Sequence, residues 1–188
     1  MNSNKIAFQY GVIATLCITL FNVVLILFNP EYAFGFITTL FYVIMILAMI
    51  IAIKKVKAED ENYISFKSAF TIIFIISFIV AFGNLIFSNL IQPIILPNYL
   101  EVMKSVKLKS FDYWAKFFKI PQEAKDKTQD EIIKGFDEVK KVTIGGQMIA
   151  LIITILLNTF SGSVIALFMK SKGEKPKEME AEVEHPVS

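Results

Sequence analysis

The sequence predicts an all-α integral membrane protein, with four transmembrane helices and a long amphipathic helical connection between the third and the fourth. Three observations predict it. Residues 6–30, 32–53, 68–100 and 142–169 contain no charged side chain. A hydrocarbon core about 30 Å thick needs roughly 20 apolar residues at 1.5 Å rise, so each stretch can cross a bilayer as a helix. The 188-residue chain is 55% hydrophobic with a mean hydropathy of +0.58, and its apolar residues run on instead of alternating with polar ones. With the four stretches set aside, the one sizeable remainder, 101–141, is too short for a large core of its own. One transmembrane domain, 1–169, is therefore expected, with spans at about 6–28, 32–53, 65–91 and 143–169, an extramembrane loop at 92–141 and a disordered tail at 170–188.

The first span ends at Asn29 and Pro30, because proline lacks a donor and restricts the residue before it. Its apolar run is longer than a signal-peptide core, and no small-x-small site precedes Asn29, so it is expected to be retained. The few residues that follow force a tight antiparallel hairpin. The second span ends at Lys54, Lys55 and Lys57, whose stems reach back to the headgroups.

A polar connection, 54–67, carries Glu59, Asp60 and Glu61 in its middle. Ser65 is placed to cap the third helix, with Tyr63 and Phe66 as interface anchors. Asn89, Gln92, Pro93 and Pro97 mark that helix's far end near 91, leaving 94–99 in the interface with Tyr99 as a further anchor. In the long connection Phe111, Trp114, Phe117 and Phe118 recur at three- and four-residue spacing among lysines, an amphipathic stretch whose Trp114 suits the bilayer surface. Packing of these aromatics on the protein's own helices is the alternative. Pro121 breaks the pattern. Thr128 and Glu131 have capping-box spacing and predict the start of a second amphipathic helix. The tail alternates Lys with Glu and has no aromatic residue, so it cannot bury enough surface to order itself.

The loop between the first two spans holds no lysine, whereas the second connection holds four and the tail opens with Lys170 and Lys172. Both termini are therefore expected in the cytoplasm. The long third connection has ten lysines matched by eight acids, and long loops translocate with less regard for charge.

The fourth helix carries Gly146, Ala150, Thr154, Asn158, Gly162 and Ala166 at intervals of four. Small residues let helix backbones approach, and Thr or Asn can hydrogen-bond across the contact. Gly11 and Thr15 in the first helix and Ala81 and Asn84 in the third repeat the theme. These are the candidate packing residues. The alternative is that Gln9, Asn22, Asn84, Gln147 and Asn158 line a polar path.

Chemistry is scarce. No Asp, Glu, Lys or His lies inside a span, so the ionisable residue that marks a proton relay or ion pathway is missing. One cysteine, Cys17, and one histidine, His185, assemble neither a zinc site nor a nucleophile–histidine pair. The expectation is no catalytic residue, no metal, no cofactor and no enzyme. A net charge of +2 with interspersed signs gives no reason to expect nucleic acid as a partner.

The string Asn62, Tyr63, Ile64, Ser65, Phe66, followed by Ala69 and Phe70, resembles a family of small bacterial membrane proteins, domain of unknown function 4199. Asn62 stands where that family often has glycine. Pro97, Asn98 and Tyr99 after the third helix, and a glycine-containing last helix ending in lysine, extend the likeness over the whole layout. The resemblance implies a bacterial, mainly Bacteroidota, inner-membrane protein. It implies no activity.

The functional expectation is a non-enzymatic protein of the inner membrane that packs helices, as a homo-oligomer or as a subunit bound to another membrane protein. A small transporter or channel for a neutral or lipophilic solute is the alternative.

Overall fold

A computed structural model describes residues 3–139 and 144–171, the side chains at 31–39, 139 and 144 excepted. The tail assigned to disorder, with His185, lies outside these residues from 172 onward. All regular elements among the described residues are helical: α1 Ser3–Phe28, α2 Pro30–Glu59, α3 Phe66–Ile86, α4 Gln92–Ile95, α5 Tyr99–Phe117, α6 Gln122–Val139 and α7 Ile144–Met169, with a π-helical turn, Phe87–Ile91, joining α3 to α4.

Three helical stretches are long and apolar enough to cross a membrane among these residues: Ser3–Phe28, Phe66–Ile95 and Gly145–Met169. Their apolar side chains point outward as well as inward. Leu16, Leu20 and Leu27 on α1 and Ile149, Ile152, Leu156 and Phe160 on α7 are all more than half exposed, as a lipid-facing surface requires and a water-facing one does not tolerate.

Only Asn29 separates α1 from α2, fewer residues than expected, because Pro30 takes the first helical position, where its missing N–H costs nothing. Lys55 near the end of α2 lies 5.9 Å from the Tyr10 ring near the start of α1, so the two helices run antiparallel. α2 continues past residue 53 to Glu59. The chain then turns through Glu61 and Asn62, both left-handed at φ 50° and 60°. Asparagine tolerates this conformation, so the tight turn forms without the glycine. Ser65 is extended, and its Oγ accepts from the Ser68 N–H at 3.1 Å, capping α3.

The third helix does not stop near 91. The π turn widens the backbone ahead of Pro93, and the helix runs on to Ile95. Proline clashes with the carbonyl four residues before it, and a widened turn is one way to accommodate it. In that turn the Asn89 side chain donates to the Leu85 carbonyl at 2.8 Å. Residues 92–95 therefore belong to the long helix and not to the loop, and Tyr99 opens α5.

α6 begins at Gln122, directly after Pro121, six residues before the predicted cap. Thr128 is inside the helix, its hydroxyl donating to the Ala124 carbonyl at 2.9 Å. The Thr128–Glu131 spacing is thus an interior coincidence. α5 and α6 pair through Asp112, which accepts from Gln129 at 2.7 Å and meets Lys125 at 3.0 Å.

The main buried cluster joins Ile6, Ala7, Ala14 and Ile18 of α1, Met45, Met49, Ala52 and Ile53 of α2, Ile72, Ile73, Ile76 and Val80 of α3, and Ala166 of α7. α3 packs on α1, on α2 and on α7, and is the hub of the bundle.

Candidate functional site

The α1–α3 contact is built on two glycines and a threonine. A Cβ at Gly11 would lie 3.1 Å from the Ile79 Cβ, and one at Gly83 would collide with the Thr15 methyl. Both approaches exist only because the side chain is absent. Thr15 donates to the Gly11 carbonyl at 2.9 Å and its hydroxyl lies 3.5 Å from the Ile79 carbonyl across the contact. Gly83 is as tightly placed as Gly11 but falls outside the four-residue spacings that single out the others. Its signal was the pairing with Thr15, which only the parallel register of α1 and α3 reveals.

Along α7 the stripe divides in two. Asn158, Gly162 and Ala166 are buried, and a Cβ at Gly162 would lie 2.5 Å from Ile73 Cγ2 and 3.3 Å from Met49 Sδ. This half is closed. Toward the start of α7, Gly146 and Thr154 are half-buried and Ala150 is exposed. There the two helices flank a groove of about 160 Å³, lined by Ala81, Asn84 and Leu85 of α3, Ser88 of the π turn, and Gln147, Ala150, Leu151 and Thr154 of α7.

The structure thus brings Asn84 and Gln147 to one groove. Asn158 stands one turn beyond Thr154 on the same face. Gln9 and Asn22 lie elsewhere: Gln9 is on the outer surface beside Lys55, and Asn22 is buried in α1. A single path through all five amides is not what the fold assembles.

Among the described residues three buried polar atoms have no protein partner: Ser77 Oγ, Asn158 Nδ2 and Thr159 Oγ1. Leaving such a group unpaired costs about 1–3 kcal/mol, so each calls for an explanation. Gly162 faces Ile73, and a step of four residues along each antiparallel helix brings Asn158 level with Ser77. Thr154, by contrast, satisfies its own hydroxyl on the Ala150 carbonyl at 2.8 Å.

Of the expected interface anchors, Tyr63 and Tyr99 are half-buried, Phe66 is exposed at the head of α3, and Trp114 is exposed near the end of α5. Trp114 stacks with Phe118 and meets Tyr113 and Phe117 edge-on. Beside Tyr63 and Phe66, Ser171 ties the end of α7 to the turn before α3: its hydroxyl accepts from the Ile64 N–H, and its own N–H donates to the Ile64 carbonyl, both at 2.9 Å. No group of three or more metal-ligating side chains occurs among the described residues.

The last described residue, Ser171, is also where a family match ends. The family model "Protein of unknown function (DUF4199)" matches residues 9–171. The chain belongs to the DUF4199 family. The matched region runs from the first turns of α1 to the Ser171 tether, so the DUF4199 unit includes all seven helices and the connection between α3 and α7. No curated protein and no solved structure matches the chain.

Proposed function

We propose that this DUF4199 protein is a multi-pass protein of the bacterial inner membrane that works by helix packing, as a homo-oligomer or as a subunit of a membrane complex, and that it is not an enzyme. α2 serves as the fourth span, since its antiparallel pairing with α1 carries it back across the same thickness. Both termini lie in the cytoplasm and the α5–α6 hairpin lies outside.

The observation that carries the assembly reading is on α3. Phe66, Phe70, Phe74, Phe78 and Phe82 recur every fourth residue, all between 36% and 47% exposed on the helix that is already the hub. Phe78 and Phe82 stack parallel, and Phe66 and Phe70 lie 5.9 Å apart. Lipid asks only for apolarity, whereas an ordered aromatic ridge offers a second helix a shape to fit.

The test is cysteine crosslinking in native membranes, in a Cys17→Ala background. Phe74→Cys and Phe78→Cys should give a crosslinked species of defined larger mass, and Ile152→Cys on α7 should not. Monomer alone, with no partner retained in mild detergent, overturns the proposal. Orientation is read separately: cysteines at Ser3, Ala58 and Ser171 should resist an impermeant thiol reagent in intact cells, and one at Gln122 should react.

A second reading, a transporter or channel for a neutral or lipophilic solute, is favoured by the α3–α7 groove, where Asn84 and Gln147 meet inside the apolar segments.

A further inference from the structure

We infer that the α3–α7 groove is a hydrated vestibule that enters the membrane from the α5 side, ends at Ser77 and Asn158, and admits small uncharged molecules that both donate and accept hydrogen bonds. Its ligand class deepens the second reading above. Its hydration stands on the groove alone.

The contact between α3 and α7 is apolar and tight on one side of Ser77 and open on the other. On the tight side Gly162 meets Ile73 and Met49, with Ala166 fully buried. On the open side Ala81, Asn84 and Ser88 follow Ser77 at helical spacing, while Thr154, Ala150 and Gln147 precede Asn158 on the facing helix. From Ser88 to Ser77 is eleven residues, or about 16 Å at 1.5 Å rise, roughly half of a 30 Å hydrocarbon core. The polar side chains thus mark a path from one surface to the middle and no farther.

Ser77 is 0% and Asn158 2% exposed, and Ser77 Oγ and Asn158 Nδ2 have no protein partner. Buried polar groups without a protein partner are ordinarily served by ordered water, given room and further polar neighbours. The innermost lining residues of the groove, Ala81 and Thr154, stand one helical turn from Ser77 and Asn158, and at about 30 Å³ per molecule its 160 Å³ holds on the order of five waters. Its lining offers amide and hydroxyl groups and no charge. An ion entering it would shed hydration with only neutral amide and hydroxyl dipoles and no counter-charge to compensate, whereas an uncharged amide or alcohol would exchange water for the Asn84, Ser88 and Gln147 side chains.

Thiol reactivity tests this, because a thiolate forms in water and not in hydrocarbon. In the full-length Cys17→Ala protein in liposomes, Ala150→Cys and Thr154→Cys are compared with the lipid-facing Ile152→Cys and Leu156→Cys. Three methanethiosulfonates are used: an uncharged hydroxyalkyl reagent, a trimethylammonium reagent and a sulfonate. Two groove positions are used so that failure of one variant to fold leaves the other. The expected result is reaction of the uncharged reagent at either groove cysteine at least 10-fold faster than at the lipid-facing pair, with both charged reagents at least 10-fold slower than the uncharged one there. Groove rates no higher than lipid-facing rates overturn the vestibule, including the case of a partner helix filling the groove. Charged reagents reacting as fast as the uncharged one overturn the ligand class. Reactive groove cysteines without measurable solute flux remove the transport reading and leave the vestibule standing.

Discussion

Replacing Gly162 by alanine should destabilise the protein, although alanine is the better helix former by about 1 kcal/mol. The added Cβ would sit 2.5 Å from Ile73 Cγ2, where carbon atoms normally approach to about 3.5–4.0 Å. Ile73 is β-branched and fully buried, so its Cγ2 is held close to the α3 backbone and has little freedom to move. Met49 Sδ, at 3.3 Å, belongs to a flexible side chain and can yield. The relief must therefore come from the backbones, which have to part by about 1 Å, and a gap of that size forfeits a quarter to a half of each dispersion contact along the tight half of the interface. Overpacking of this kind costs about 1–3 kcal/mol, which exceeds the propensity gain over most of its range, and Gly162→Leu should reach or pass the upper end. Gly135 in α6 is the control, since a Cβ there meets nothing within 4 Å. Gly135→Ala should raise stability by about 0.4–1 kcal/mol. The assay is thermal unfolding in a mild detergent, with all three variants against wild type. If Gly162→Ala is as stable as wild type while Gly135→Ala is stabilised, α7 does not pack on α3 as described.

The collision between a Cβ at Gly83 and the Thr15 methyl makes Gly83→Ala destabilising by about 1–3 kcal/mol, and Thr15→Ser, which deletes that methyl and keeps the hydroxyl, should restore most of the loss; equal stability of the single and double variants in detergent melts would show that the two do not meet. Ser171→Ala removes the side-chain acceptor for the Ile64 N–H and should cost about 1 kcal/mol, visible as faster hydrogen exchange at Ile64; unchanged exchange there would sink the tether. Asp112→Asn breaks the pair with Lys125, which is partly exposed, so the loss should stay below about 1 kcal/mol and shrink in high salt; a larger, salt-independent loss would point to a buried role the geometry does not give it.

The long helices were legible because apolar runs of bilayer length need no tertiary knowledge to recognise. Their ends were less so. Pro93 reads locally as a stop, and only the π turn, a property of the whole backbone, carries the helix through it to Ile95. Thr128 and Glu131 have the spacing of a cap, but Pro121 already occupies the boundary and fixes the start of α6 six residues earlier. Gly162 and Gly11 were readable from four-residue periodicity. Gly83 was not, because its reason is Thr15 on another helix. The division of the α7 stripe into a closed and an open half depends on how closely α3 approaches at each level, which no spacing along one chain encodes.

The phenylalanine ridge on α3 constrains its partner further. Residues four apart form a ridge inclined about 26° to the helix axis, and two such ridges interdigitate at a crossing of about −50°. At that angle two helices touch over a couple of turns and then diverge, unlike the shallow crossing of about 20° that keeps a coiled coil in contact throughout. A self-contact through the ridge would therefore concentrate crosslinking near its centre, at Phe74 with Phe70 and Phe78 on either side, and lose it toward Phe66 and Phe82. Lipid contact has no such centre. The spatial profile of crosslinking along α3 thus separates assembly from random collision more sharply than the presence of a crosslinked band, since collision gives a low yield at every exposed position alike.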